Sequence, residues 1–327
     1  MIPVLKRTTP LVVLALATAC ENAGVGRGFG TEGTSNVQVL VYLDRDGSRN
    51  PSILDTAFVG ARIALLQAGS HDTLRTALTA ATGIARFNAV PRGEYRLAVV
   101  PASLGDSIEV AAIDPDNVKL TALVDTARSL VRLAYPEVSL RRARALPAGK
   151  RVFVRGVVLA GVQSFRDTTS HLSDSSSAIR LTRVVLRGGL TGNAPGDSVT
   201  VLGVTGSRLG QPILDQAIIS RFGARPAPNP LIIATNTAAT ASNGGLDAAL
   251  VQIVGATISD TATVTPDFKV TVSDGSGSLA ILLDVSQQHV RSNYRPGRQV
   301  NAVGVLTPDG SGGWLLRPRG TFDIVVF

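Results

Sequence analysis

Pro195-Gly196-Asp197-Ser198-Val199-Thr200-Val201-Leu202-Gly203-Val204 returns 101 residues later as Pro296-Gly297-Arg298-Gln299-Val300-Asn301-Ala302-Val303-Gly304-Val305. Two further motifs keep nearly the same spacing. Val154-Arg155-Gly156 matches Ile253-Val254-Gly255 at an offset of 99, and Asp174-Ser175-Ser176-Ser177-Ala178-Ile179 matches Asp274-Gly275-Ser276-Gly277-Ser278-Leu279 at 100. A near-constant offset across three separate motifs means two copies of one unit. The period is far beyond the 20–50 residues of solenoid repeats, so each copy is a small domain. Within a copy, Arg151 to Leu159 and Ala249 to Ile258 alternate as strands. The Asp-x-Ser motif closes a hairpin, leading into Ala178 to Val185 or Ser278 to Asp284. Pro-Gly turns the chain into another strand, with Gly203 or Gly304 marking a bulge or bend. Gly210-Gln211-Pro212-Ile213-Leu214 and Gly313-Trp314-Leu315-Leu316 begin the last strand.

About five short strands per copy, curled into a barrel, fit the OB-fold. The copies are expected at 138–225 and 246–327. Residues 226–245, rich in Pro, Asn, Thr and Ala, read as the linker, and Asp247 to Leu250 as a short helical cap or a strand start. The motif order resembles the tandem OB-fold modules of bacterial lipoproteins and extracellular nucleases. Trp314-Leu315-Leu316-Arg317-Pro318-Arg319, followed by Asp323, is the nearest local match.

Upstream, residues 36–137 carry many short strands with turns every 8–12 residues, which predicts an antiparallel β-sandwich. Val37, Val39 and Val41 alternate with Gln38, Leu40 and Tyr42. Further strands are expected over Val59–Leu66, Thr73–Thr79, Ile84–Phe87, Glu94–Val100, Ser107–Ala112, Asn117–Leu120 and Ser129–Leu133. Thr82-Gly83-Ile84-Ala85-Arg86-Phe87, then Val90-Pro91-Arg92-Gly93-Glu94-Tyr95-Arg96-Leu97, resembles the prealbumin-like repeats of bacterial surface proteins: carboxypeptidase regulatory-like, Cna B and SdrD B domains. Tyr42-Leu43-Asp44-Arg45-Asp46-Gly47 is similar to an SdrD B start. The resemblance implies a stalk or spacer without catalysis. Lys119 is the only lysine of this segment and is outside the first strand, so no isopeptide bond is expected.

Asp44, Asp46, Ser48 and Asp55 occupy positions 1, 3, 5 and 12 of a calcium-loop spacing, although Arg49 stands where that loop needs Gly. Bound Ca2+ is one reading. The other is a polar hairpin loop of turn-forming residues.

The chain opens with an address. Lys6 and Arg7 precede Leu11 to Ala19, an apolar run too short to cross a bilayer but long enough for a signal-peptide core. The run ends Leu16-Ala17-Thr18-Ala19-Cys20, resembling a bacterial lipobox, with Ala17 in place of the usual Leu or Val. The lipoprotein reading makes residues 1–20 the signal peptide, Cys20 the lipid-bearing residue and 21–35 a flexible tether. The alternative is an ordinary signal peptide. Localisation is then the cell envelope, facing the periplasm or the cell surface.

The chain has 327 residues and a formal charge of +8, unevenly spread. Residues 138–225 hold 13 basic and 4 acidic side chains, net +9, while the flanking folded segments are slightly acidic. Such asymmetry points to an anionic partner. Arg151, Arg155, Arg180, Arg183 and Arg187 are the candidate polyanion contacts, with Arg151 and Arg155 sharing a strand face with Phe153. Single-stranded nucleic acid also needs stacking platforms. Phe153, Phe165 and Phe222 are the only aromatic residues of this copy, and a barrel core has use for all three. One cysteine excludes an intrachain disulfide framework, and three scattered histidines give no metal cluster. No Gly-x-Ser-x-Gly elbow, phosphate-binding loop or His-Glu-x-x-His occurs. The expectation is an all-β, non-catalytic envelope protein: a prealbumin-like antiparallel sandwich followed by two OB-like barrels. It would contact polyanionic glycan or lipid, with nucleic-acid binding as the alternative, an enzyme of unrecognised type as a distant one, and no small-molecule substrate.

Overall fold

The computed structural model describes residues 33–105, 107–187 and 191–327. The expected signal peptide, Cys20 and most of the expected tether lie outside the described residues.

The first domain has nine strands: β1 (Thr34–Leu43), β2 (Thr56–Ala57), β3 (Arg62–Gln67), β4 (Thr73–Leu78), β5 (Ile84–Pro91), β6 (Gly93–Val99), β7 (Glu109–Asp114), β8 (Asn117–Leu120) and β9 (Thr126–Ala134). Strands β2, β1, β9 and β7 form one sheet, with β5 also paired to β1, and β4-β3-β6-β8 forms the other. The two sheets share one core. Val37, Val39, Val41, Val131 and Leu133 of the first are fully buried against Ile63, Leu65, Tyr95 and Leu97 of the second. The two sheets pack on each other across this core, and the arrangement is not wholly antiparallel. Strands β1 and β9 run parallel, from Asn36↔Thr126 to Leu43↔Leu133. A period of two specifies which side chains face inward and is the same for either strand direction.

The second domain contains α1 (Leu140–Ala145), β10 (Arg151–Ala160), β11 (Ser170–Ser173), β12 (Ala178–Leu181), β13 (Val185–Leu186), β14 (Asp197–Arg208) and β15 (Gln211–Ala224). The third contains β16 (Leu231–Ile232), α2 (Thr235–Thr240), β17 (Leu250–Val264), β18 (Asp267–Ser273), β19 (Ser278–Leu283), β20 (Gln299–Pro308), β21 (Trp314–Arg317) and β22 (Ile324–Val326). Each closes into a five-stranded barrel, β10-β11-β12-β15-β14 and β17-β18-β19-β21-β20. In both, the third and fifth barrel strands in chain order, β12 with β15 and β19 with β21, pair parallel while the other ring neighbours are antiparallel. This ring order is OB-like. The register of β14 on β15 shifts between Leu202 and Val204, so Gly203 is the expected bulge. Gly304 has a different reason: a Cβ there would stand 2.6 Å from the Arg317 carbonyl oxygen, so only glycine permits the approach of β20 to β21.

The repeat extends further than its strands. The Asp-x-Ser turn also anchors a short helix in each copy. The Leu140 N–H donates to Asp174 Oδ2 (2.8 Å), and the Thr235 N–H to Asp274 Oδ2 (3.0 Å). Ser176 and Ser276 donate their amides and hydroxyls to the other carboxylate oxygen. Consequently 226–245 is not a plain linker. It carries β16, paired to β17, and α2, whose Ala238 is fully buried in the second barrel, as is Ala241 directly after the helix. Short runs of Ala and Thr pack closely without an apolar periodicity to announce them. Hydrogen bonds hold the Asp274 carboxyl well below the usual range. Asp274→Ala is expected to cost about 1–2 kcal/mol, as loss of a helix N-cap does, read as a lower melting temperature at neutral pH.

Candidate polyanion-binding face

The sandwich does not stand apart from the first barrel. Its connection pairs with an edge of β10: the Phe153 N–H donates to the Pro136 carbonyl (2.9 Å) and the Val138 N–H to the Phe153 carbonyl (2.9 Å). Phe153 is buried, tilted against Tyr135 with ring centroids 6.4 Å apart. The β1–β2 loop, residues 44–55, reaches the same barrel, because a Cβ on Gly47 would lie 3.1 Å from Thr200 Cγ2.

The five arginines expected to bind a polyanion divide into different environments. Arg151 stacks over Tyr135 at 5.4 Å and donates to its hydroxyl (3.3 Å). Arg155 Nε lies 3.0 Å from Glu137 Oε1. Arg183 is exposed and grips Asp215 in a bidentate pair, which holds the Asp215 carboxyl down at about 2. Arg187 lines the outer surface, and its Nη1 has no hydrogen-bond partner among the described residues. Arg180 does not belong with them. It is only 7% exposed, on β12, paired across strands with His171 and turned toward the other barrel.

Other groups complete the face. Arg45, from the sandwich loop, shares a cavity of about 240 Å3 with Arg151 and Arg183. On the loop's other side, Asp46, Ser48, Arg187, Arg221 and Phe222 line a second cavity of about 290 Å3. Phe222 continues into a third, of about 540 Å3, with Arg155 and Arg225. Phe222 is 58% exposed, so it is not spent on the barrel core. It lies near the end of β15, beyond the point where alternate residues meet the barrel interior. Strand length, which sets that point, was not marked in the sequence. Arg45 was missed because the arginines it joins in this cavity are more than 100 residues away.

The β11–β12 side, where OB-folds commonly take ligands, is covered by the second barrel. Leu159, Ala160, Phe165 and Ala178 form one apolar cluster with Ala248, Leu250 and Val305. Arg317 of β21 stacks over Phe165 at 4.0 Å, and Arg166 donates to Asp284 Oδ1 (2.8 Å). His171 is fully enclosed, edge-on to Phe165, and neither ring nitrogen has a hydrogen-bond partner among the described residues. Burial, with the Arg180 and Arg317 charges added, pushes its pKa down to about 3.

In the proposed calcium loop, carboxylate oxygens of Asp44, Asp46 and Asp55 come within 4.8 Å of one another. Ser48 does not join them; its hydroxyl donates to the Asn50 carbonyl (2.9 Å). Asp44 accepts from the Gly47 amide (2.7 Å) and pairs with Arg132 (3.2 Å), and Asp55 accepts from the Arg45 and Ser52 amides. Three convergent oxygens are fewer than the six to eight that calcium takes, and Arg132 already supplies opposite charge. As arranged here, the four side chains do not make a calcium donor set by themselves.

No family model matches this chain, and no curated protein matches it. Among solved structures, the hypothetical protein ygiW from E. coli is similar at 17% identity, covering 27% of this chain and 97% of its own, with a TM-score of 0.22. A murine DNA-binding protein bound to double-stranded DNA is 10% identical over 54% of this chain and 95% of its own, TM-score 0.30. The Ifi202 HINa domain in complex with double-stranded DNA is 13% identical over 56% and 97%, TM-score 0.28. These scores are too low to carry an argument about this chain.

Proposed function

We propose that this protein is a non-catalytic binding protein of the bacterial envelope, and that the outer face of its first barrel takes a polyanion, single-stranded nucleic acid fitting best. The observation that carries this is Phe222, an exposed ring set among Arg155, Arg187, Arg221 and Arg225. An aromatic platform beside guanidinium groups is what single-strand binding requires, the ring stacking on a base while the cations track the phosphates. The sequence reading kept charge and stacking apart; the exposure of Phe222 joins them. The leader and Cys20 support a lipid anchor, and the sandwich a prealbumin-like spacer holding the barrels off the membrane.

The test is fluorescence anisotropy of a labelled single-stranded oligonucleotide, at low and near-physiological salt, with heparin as competitor. Binding that survives salt and heparin is expected, and Phe222→Ala is expected to weaken it about tenfold. Binding abolished by both, with Phe222→Ala matching the parent chain, would sink the nucleic-acid reading. A second reading would then stand on the arginines and the lipid anchor: a face that contacts polyanionic envelope glycan or lipid through charge alone.

A further inference from the structure

We infer that the cavity bounded by Arg45, Arg151 and Arg183 is a seat for a terminal phosphomonoester, separate from the groove at Phe222. This inference rests on the polyanion reading of the same face and refines it.

Three elements from two domains build the cavity: the sandwich loop brings Arg45, strand β10 brings Arg151, and the turn after β12 brings Arg183. Its floor is apolar, made by Leu202, Val204 and Ile218. The charge balance is specific. Arg183 is neutralised by Asp215. Arg45 and Arg151 make no ion pair among the described residues: Arg45 reaches only the Thr56 hydroxyl (3.5 Å), and Arg151 the Tyr135 hydroxyl. Two arginines without a carboxylate partner among the described residues therefore line one small space, Arg151 with its guanidinium resting on Tyr135. A phosphomonoester carries about −1.5 to −2 charge at neutral pH, so it matches them. A backbone phosphodiester carries a single charge and continues on both sides, whereas a group at a chain end enters a cavity of about 240 Å3. Guanidinium forks bind such oxygens two at a time.

The backbone supports the same place. Arg183 and Gln216, both lining this cavity, have φ near +49°. That region is uncommon for residues with a side chain, and such conformers gather at ligand sites. Asp215, on β15, ties the turn after β12 to that strand, accepting from Thr182 Oγ1 (2.8 Å) as well as from Arg183.

Phosphomonoesters come from two sources here, the phosphorylated end of a nucleic-acid strand and a phosphorylated sugar. The experiment uses the full chain. One arm compares an oligonucleotide bearing a 5′-phosphate with the same strand ending in hydroxyl. The other titrates glucose 6-phosphate against glucose. A phosphate advantage of about tenfold is expected in at least one arm, lost in Arg45→Gln at an unchanged melting temperature. An advantage in the first arm assigns the strand end, and in the second the sugar phosphate. Arg151→Gln should lose the same advantage, so an effect of the loop variant on folding alone would be recognised. No advantage in either arm, or one that both variants keep, overturns the inference. Oligonucleotide binding that depends on Phe222 but ignores the terminal phosphate would leave the proposed function intact.

Discussion

Acidification from pH 7 to pH 5 is expected to cost about 2 kcal/mol of folding stability through His171 alone, and His171→Gln should remove that part of the slope. The folded pKa of this histidine is depressed to about 3, by burial first and then by the facing Arg180 and Arg317. The unfolded chain takes its proton near pH 6.5, and the folded chain does not. Stability from this group is therefore complete above pH 6.5 and falls as pH drops toward 3. Most carboxylates with depressed values, Asp215 at about 2 among them, respond only as pH falls through the unfolded carboxylate range, so the comparison of parent with His171→Gln between pH 6.5 and 5 isolates this histidine. His289 adds a smaller loss of the same sign, its pKa lowered by burial. Asp247 opposes it, since burial pushes its carboxyl up and the folded state then takes a proton more readily. Denaturant midpoints of parent and variant across this window are the measurement. Parallel slopes would show that His171 is not held neutral between the barrels.

Arg317→Ala is expected to destabilise the protein by about 3 kcal/mol, the range for breaking a buried charge network. Its side chain is 18% exposed and lies 3.8 Å from Asp284 and 3.9 Å from Asp167. Asp284, 2% exposed, would keep only Arg166 as a charge partner, and Phe165 would lose the cation stacked on it. Arg317→Met separates the two contributions. If Met recovers most of the loss, packing on Phe165 dominates; if it recovers little, the charge does. A loss under about 0.5 kcal/mol for Arg317→Ala, typical of an exposed pair, would mean that the barrels do not depend on this contact.

The same contact explains why Arg180 reads so differently in sequence and in space. On its own strand it follows the outward alternation of a barrel wall, and an outward arginine in a basic segment suggests a ligand contact. The outward side of β11 and β12 is an interior surface once the second barrel packs on it. Phe222 was misjudged in the opposite direction, as a core candidate, because aromatic residues usually are. Helix α2 was hidden by a composition that suits loops. Asp44, Asp46 and Asp55 do converge as their spacing suggests, yet the carboxylates are satisfied by loop amides and Arg132.

The sequence by itself determined two copies of one barrel-forming unit, the bulge at Gly203, the Asp-x-Ser turns and the alternating core of the sandwich. Those are local matters, in which each residue's period and turn chemistry are set by near neighbours. The tertiary structure alone decided that β1 and β9 run parallel, that the second barrel covers one side of the first, and that Arg45 joins Arg151 and Arg183. A period of two states only that a side chain points away from its own core. Whether it then meets water, a ligand or another domain depends on surfaces a hundred residues apart, which no local pattern encodes.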